Sequence, residues 1–277
     1  MAQRHLPTIG GHPQEFGGTL RADNWWVGPL TTLVVFTSFI AYTTWALFQG
    51  KYYYADPYLS PFYSPLLFTK LDEPGAAPLE HAWFGDWPTW WPDFPLLPAS
   101  PALFILAFPG LFRFTCYYYR KAYYRSFVGS PPGCAVSPGQ RPKYWGETRF
   151  LIFQNLHRYA LYFALLIWAV LTYDAVISFS RDGELGIGVG SIILTVNAAL
   201  IGAYTFGCHS FRHLIGGKSD CMSCGQNTVQ YGAWKGASWF NGRHMLFAWL
   251  SLFSVALADL YVRLVSMGVI TDLNTWN

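Results

Sequence analysis

Charge is scarce in this 277-residue chain: Asp, Glu, Lys and Arg make up 12% of it, against 52% hydrophobic residues. A soluble domain carries about twice that charged share, so a water-facing globule is excluded. Charges are also missing in blocks, with none from 24 to 50, 94 to 112 or 185 to 211. A cleavable signal is lacking too. Residues 1 to 23 are polar and rich in Gly and Pro, with no apolar core, so the first apolar run is expected to stay in the mature protein. No nucleotide loop is present, because Gly186, Gly188 and Gly190 follow no strand and open a helical run where small residues permit close contact. Repeats and low-complexity tracts are absent. A net charge of only +3 argues against a nucleic-acid partner, and the abundant aromatics suit membrane interfaces instead.

What remains is a pattern of membrane spans. A bilayer-crossing helix needs about 20 apolar residues. The three charge-free runs qualify, and 159–173 and 244–258 do so if Arg158, Asp174, Arg243, Asp259 and Arg263 reach the interface or pair within a bundle. The expected fold is an all-α integral membrane protein of about five transmembrane helices, near 25–49, 96–119, 150–179, 185–214 and 242–268. Pro101 and Pro109 are tolerable in the second as a kink supported by neighbours. Asp259 and Arg263, four apart, read as a structural pair. Arg113, Arg120, Lys121, Arg125, Arg141, Lys143 and Arg149 lie between helices 2 and 3, and Arg212, Lys218, Lys235 and Arg243 between helices 4 and 5. The 51–93 loop is acidic. Positive charge marks the cytoplasmic side, so the N-terminus is expected inside and the C-terminus outside.

The chain then divides into a cytoplasmic segment (1–24), two helices with an aromatic, Pro-rich external loop (25–119), a basic cytoplasmic loop (120–149) and a three-helix core (150–277). The external loop is expected on the outer surface of the bundle, its rings in the headgroup layer.

Ligand-type side chains gather in one stretch: Cys208, His209, His213, Cys221 and Cys224. His209 and His213 share a helix face, and Cys221 and Cys224 form a C-x2-C pair, a spacing that lets two thiolates hold one metal. By the topology, His157 and His244 come to the same end of the bundle. Several fillings stay open: a structural zinc in a non-redox membrane protein, a b-type haem between two of His157, His209, His213 and His244, or a two-His, two-Cys iron–sulfur centre. A transporter would place ionisable groups nearer the midplane. Soft thiolates beside imidazoles favour the iron–sulfur centre, on His209, His213, Cys221 and Cys224, with His157, Cys208 and His244 in reserve. Cys116 and Cys134 have no partner in sequence and read as inert.

Two short motifs carry a resemblance. Asn155-Leu156-His157-Arg158 resembles the S-x-x-H-R motif opening the first core helix of succinate dehydrogenase cytochrome b anchor subunits. Phe211-Arg212-His213-Leu214 resembles the G-x-R-H motif ending their second core helix. The likeness covers about 147–268, and the first two helices lie outside that three-helix pattern. In the family an axial haem histidine stands seven residues before the R-H histidine; here that place is Phe206, which cannot ligate iron. The resemblance therefore implies an anchor in which a Rieske-type [2Fe–2S] cluster replaces haem, a haem-binding anchor being the alternative. It further implies quinone, menaquinone above all, beside Asn155, His157 and Arg158. Implied partners are a flavoprotein, an iron–sulfur subunit and a further small transmembrane subunit, with lipid around the anchor in the inner (cytoplasmic) membrane. Succinate oxidation itself is not expected of this chain, which has no flavin or dicarboxylate motif.

Overall fold

The computed structural model describes residues 16–91, 99–138, 155–217, 221 and 228–276. Apolar runs become helices wherever they are long and unbroken: α1 (Val27–Gln49), α4 (His157–Ile177), α5 (Val189–Phe206) and α8 (His244–Ser266). Each is long and apolar enough to cross a bilayer. The expected second span is a bent pair, α2 (Ala102–Phe114) and α3 (Tyr117–Tyr123), the latter continued by a π turn over Tyr124–Val128. The pair bends by 79°. The chain is thus a multi-pass, all-α membrane protein, with four candidate spans among the described residues, or five counting the bent pair. Residues 96–98 and 150–154, expected to start two of these helices, lie outside the described residues.

The bend falls at Thr115 and Cys116, not at either proline. Pro101 sits at the N-cap of α2, where a missing N–H is harmless. Thr115 returns its hydroxyl to the carbonyl of Leu111 at 2.7 Å, competing with continuation of the helix, and Cys116 is extended, with φ −67° and ψ 130°. The expected 185–214 helix breaks in the same way. Gly207 closes α5 and Cys208 turns extended, with φ −65° and ψ 140°, before α6 (His209–Gly216). A further helix, α7 (Thr228–Gly242), packs on α6 before α8 begins.

Close helix contact depends on small residues. α5 packs against α4 and α8, and Ala160, Ala164, Ala198, Ala248 and Ala258 are buried in those seams. A Cβ at Gly202 would lie 2.6 Å from the Trp168 indole nitrogen, which donates to the Ala198 carbonyl at 3.0 Å. Gly188 and Gly190 make room for the ring of Tyr58, 1.9 and 2.6 Å from where their Cβ atoms would stand.

The acidic loop corrects one expectation. It does not lie on the bundle surface: Tyr53, Tyr58, Phe62, Tyr63 and Leu66 are all fully buried. Two short hairpins belong to this end, β1 (Tyr54–Ala55) with β2 (Tyr58–Leu59) and β3 (Ser180–Arg181) with β4 (Glu184–Leu185). The reason for burial is polar. Asp259 and Arg263 pair at 2.8 Å, with side chains 0% and 1% exposed, and the loop satisfies what the pair leaves over. Ser60 donates to Asp259, while Arg263 donates to the Lys51 carbonyl at 2.9 Å.

The C-terminal tail is hooked onto the same end. Asp272 accepts from Tyr58 at 2.7 Å, Tyr261 at 2.5 Å and the Gly190 N–H at 3.1 Å. Burial alone would raise its pKa, but the Tyr261 and Tyr58 hydroxyls and the Gly190 N–H outweigh it and hold the carboxyl below the usual range. A depressed carboxylate stabilises fully above its unfolded value, about 3.9, and loses that contribution as pH falls through the lower folded value. The hook should therefore hold at neutral pH and release only in acid below about pH 4. Asp272→Asn should release it at neutral pH, speeding chymotryptic cleavage at Leu273 roughly tenfold, since hydrogen bonds to a charged group are the stronger kind. An unchanged cleavage rate would refute the hook.

Candidate metal centre

The two helix breaks and two helix starts meet at the basic end of the bundle. Cys116 and Cys208 are the N-cap residues of α3 and α6, and His157 and His244 are the first residues of α4 and α8. All four side chains line one cavity of about 480 Å³, with Thr115 and His209 also at its wall. His157 Nε2 stands 2.9 Å from Cys208 Sγ, and His244 Nε2 stands 3.6 Å from Cys116 Sγ. Cys116, Cys208 and His244 are buried. Each imidazole is covered by a ring from a broken helix: Phe112 stacks on His157 at 4.6 Å, and Tyr204 on His244 at 4.9 Å.

Local sequence explains the placement. Thr115 holds His157 Nδ1 at 2.9 Å while its own backbone ends α2. Gly207 permits the close approach of His244, since a Cβ there would meet the Phe240 carbonyl at 3.0 Å and His244 Nδ1 at 3.1 Å. Cys208 faces the backbone N–H groups of Ser210 and Phe211 at the start of α6.

The set expected from sequence is not assembled among the described residues. His209 reaches the cavity wall. His213, one turn further along α6, is exposed. Cys221 is exposed and disulfide-bonded, so in this state its sulfur is not a ligand, and Cys224 lies outside the described residues. The reserve residues His157, Cys208 and His244 do come together. Cys116, read as inert, joins them with His244 as its neighbour. It was discoverable, since the expected topology puts the end of the second span level with His157.

Among the described residues no three His, Cys, Asp or Glu side chains stand close enough to share one ion. Two separate His–Cys pairs facing one cavity suit a two-metal cluster better than a single zinc. The donor types, two thiols and two imidazoles, are those of a Rieske-type [2Fe–2S] centre, which needs both imidazoles on one iron and both thiolates on the other, a sorting that the His157–Cys208 and His244–Cys116 contacts do not show. A second observation agrees: the buried Nδ1 of His244 makes no hydrogen bond within the described residues, which leaves an imidazole nitrogen available to a ligand. The expected quinone residues lie just outside. Asn155 and Arg158 are exposed at the start of α4, on either side of His157.

The family model for the actinobacterial succinate dehydrogenase subunit SdhC matches residues 27–268. A solved chain of the Mycobacterium smegmatis Sdh1 complex in the apo form is 43% identical over 94% of both chains, with a TM-score of 0.81. No curated protein sequence matches significantly. That family match runs from the first residue of α1 to just beyond the end of α8, taking in every span and both helix breaks, and the chain belongs to the actinobacterial SdhC membrane-anchor subunits of succinate dehydrogenase.

Proposed function

We propose that this subunit reduces quinone with electrons received from a peripheral iron–sulfur subunit, and that Cys116, Cys208, His157 and His244 hold a Rieske-type [2Fe–2S] centre. The observation that carries the reading is the convergence of two thiols and two imidazoles, from four helix ends, on one cavity at the basic end of the bundle. His209, beside them, is the remaining member of the sequence-derived set within reach. When bound, such a centre supplies a one-electron carrier whose potential is raised by imidazoles in place of thiolates.

The chain's own residues do the rest. Phe112 and Tyr204 cover the imidazoles and exclude water. Arg158 and Asn155, exposed beside His157, donate hydrogen bonds to quinone oxygens, the cation favouring negative charge that develops there on reduction. Menaquinone is the favoured substrate. The basic end faces the cytoplasm of an inner membrane, and an iron–sulfur subunit with its flavoprotein docks there, a further small transmembrane subunit being compatible. Succinate is oxidised in the flavoprotein.

Electron paramagnetic resonance of the purified complex tests the centre. A signal of mixed His/Cys ligation, distinct from all-Cys clusters, is expected; a b-type haem band in its place would overturn the reading. Arg158→Leu tests the quinone site. It should lower quinone reduction by about 100-fold, the scale of one lost electrostatic donor, and leave the signal intact. Unchanged turnover would remove Arg158 from the site.

A further inference from the structure

One buried group at the centre is left without work by the reading above. Tyr204 is 1% exposed, and its hydroxyl makes no hydrogen bond among the described residues. A phenol buried this deeply normally finds an acceptor. Its ring is fixed on three sides. It stacks on His244 at an interplanar angle of 12°, meets Phe112 edge-on at 5.5 Å, and lies under the Arg113 guanidinium, 4.7 Å from the ring centroid. Arg113 is itself occupied, donating to Tyr119 at 2.6 Å and Ser251 at 3.0 Å. The hydroxyl therefore cannot swing away to find a partner elsewhere.

Cys116 and Tyr119 are the ionisable neighbours of that hydroxyl besides Arg113. Tyr119 donates to the Ala248 carbonyl at 2.5 Å and accepts from Arg113, which leaves the sulfur. As a thiol, Cys116 lies against His244 Nε2 and is a weak acceptor. A metal-bound thiolate is a strong one.

Resting on the ligand set proposed above, we infer that Tyr204 is a positioning residue for the cluster, its O–H donating to Cys116 Sγ once that sulfur is a metal-bound thiolate. Such a bond draws negative charge from the sulfur. The oxidised centre is then the less favoured one, and the reduction potential rises. The aromatic stack with His244 fixes the ring that carries the donor.

Tyr204→Phe keeps the ring and removes only the O–H. In the purified complex, redox titration followed by electron paramagnetic resonance should show the same mixed-ligand signal, with a midpoint potential lowered by roughly 59 mV, a tenfold change in a one-electron equilibrium. Electron–nuclear double resonance should lose one solvent-exchangeable proton coupled to the cluster. An unchanged potential and an unchanged proton coupling would overturn the inference while leaving the cluster in place. Should Tyr204→Phe fail to assemble, fluorotyrosine placed at 204 supplies a stronger donor of nearly the same shape. The potential should then rise, and no rise would equally overturn the role. Absence of a mixed-ligand signal from the unsubstituted complex is a different failure, because it removes the ligand set itself.

Discussion

Cys116→Ser and Cys208→Ser should each abolish the mixed-ligand iron–sulfur signal and lower quinone reduction at least about 100-fold, the upper scale seen when the support of a metal site is lost. Serine nearly preserves shape but replaces a soft thiolate by a hard, poorly ionised hydroxyl, which suits iron–sulfur binding badly. The two cysteines should behave alike because the chain places them alike. Each is an extended N-cap residue after a broken span, and each has one imidazole as a neighbour. His213→Ala should leave the signal unchanged, since His213 is exposed one turn beyond the cavity. Succinate oxidation with a soluble dye should continue in all three variants, and co-purification of this subunit with the flavoprotein would show that the complex remains assembled. If His213→Ala and a Cys221→Ser variant lost the signal while the Cys116 and Cys208 variants kept it, the ligand set read from sequence spacing would be the correct one.

The contrast between those two sets shows what sequence makes legible. Spans declare themselves because a bilayer demands long uncharged runs, and residues 24–50 or 185–206 admit little else. The level of His157 and His244 also follows from topology. What topology cannot give is where a helix stops inside an apolar run. Both stops fall at single residues, the back-bonding Thr115 and the C-cap Gly207, and no proline marks either. With the breaks in place Cys116 comes beside the His244 ring, whereas adjacency along the chain groups the C-x2-C pair with His209 and His213.

Helix α7 was hidden for a related reason. Gly232, Gly236 and Gly242 lower helix propensity, while tertiary contacts support the helix: Arg212 lies over the Trp234 ring at 4.7 Å, and Gln230 donates to the Ile215 carbonyl at 2.6 Å. Composition alone puts the acidic loop at the surface. Aromatic rings suit a headgroup layer, but the same rings pack inward when a buried ion pair needs polar neighbours from that loop. Asp259 and Arg263, spaced four apart, did announce themselves as a pair.

That pair should be the most sensitive point for stability. Asp259→Ala leaves the Arg263 guanidinium buried without a counter-charge, beside the Lys51 and Ala46 carbonyls and the Trp45 and Tyr63 rings. Breaking one partner from a buried ion pair costs about 3–5 kcal/mol. The loss should be larger than for a surface pair such as Arg181 with Asp56, whose removal costs at most about 1 kcal/mol. Tyr42 and Ser60 both donate to Asp259, so the substitution also strands two hydroxyls and loosens the acidic loop from α1 and α8. Arg263→Met in the Asp259→Ala background removes the stranded cation and should recover part of the loss, because the cost lies in the unpaired charge more than in the missing attraction. Thermal unfolding of the detergent-solubilised complex measures both variants. A double variant no more stable than Asp259→Ala alone would show that the pair acts by shape and hydrogen bonding, not by charge.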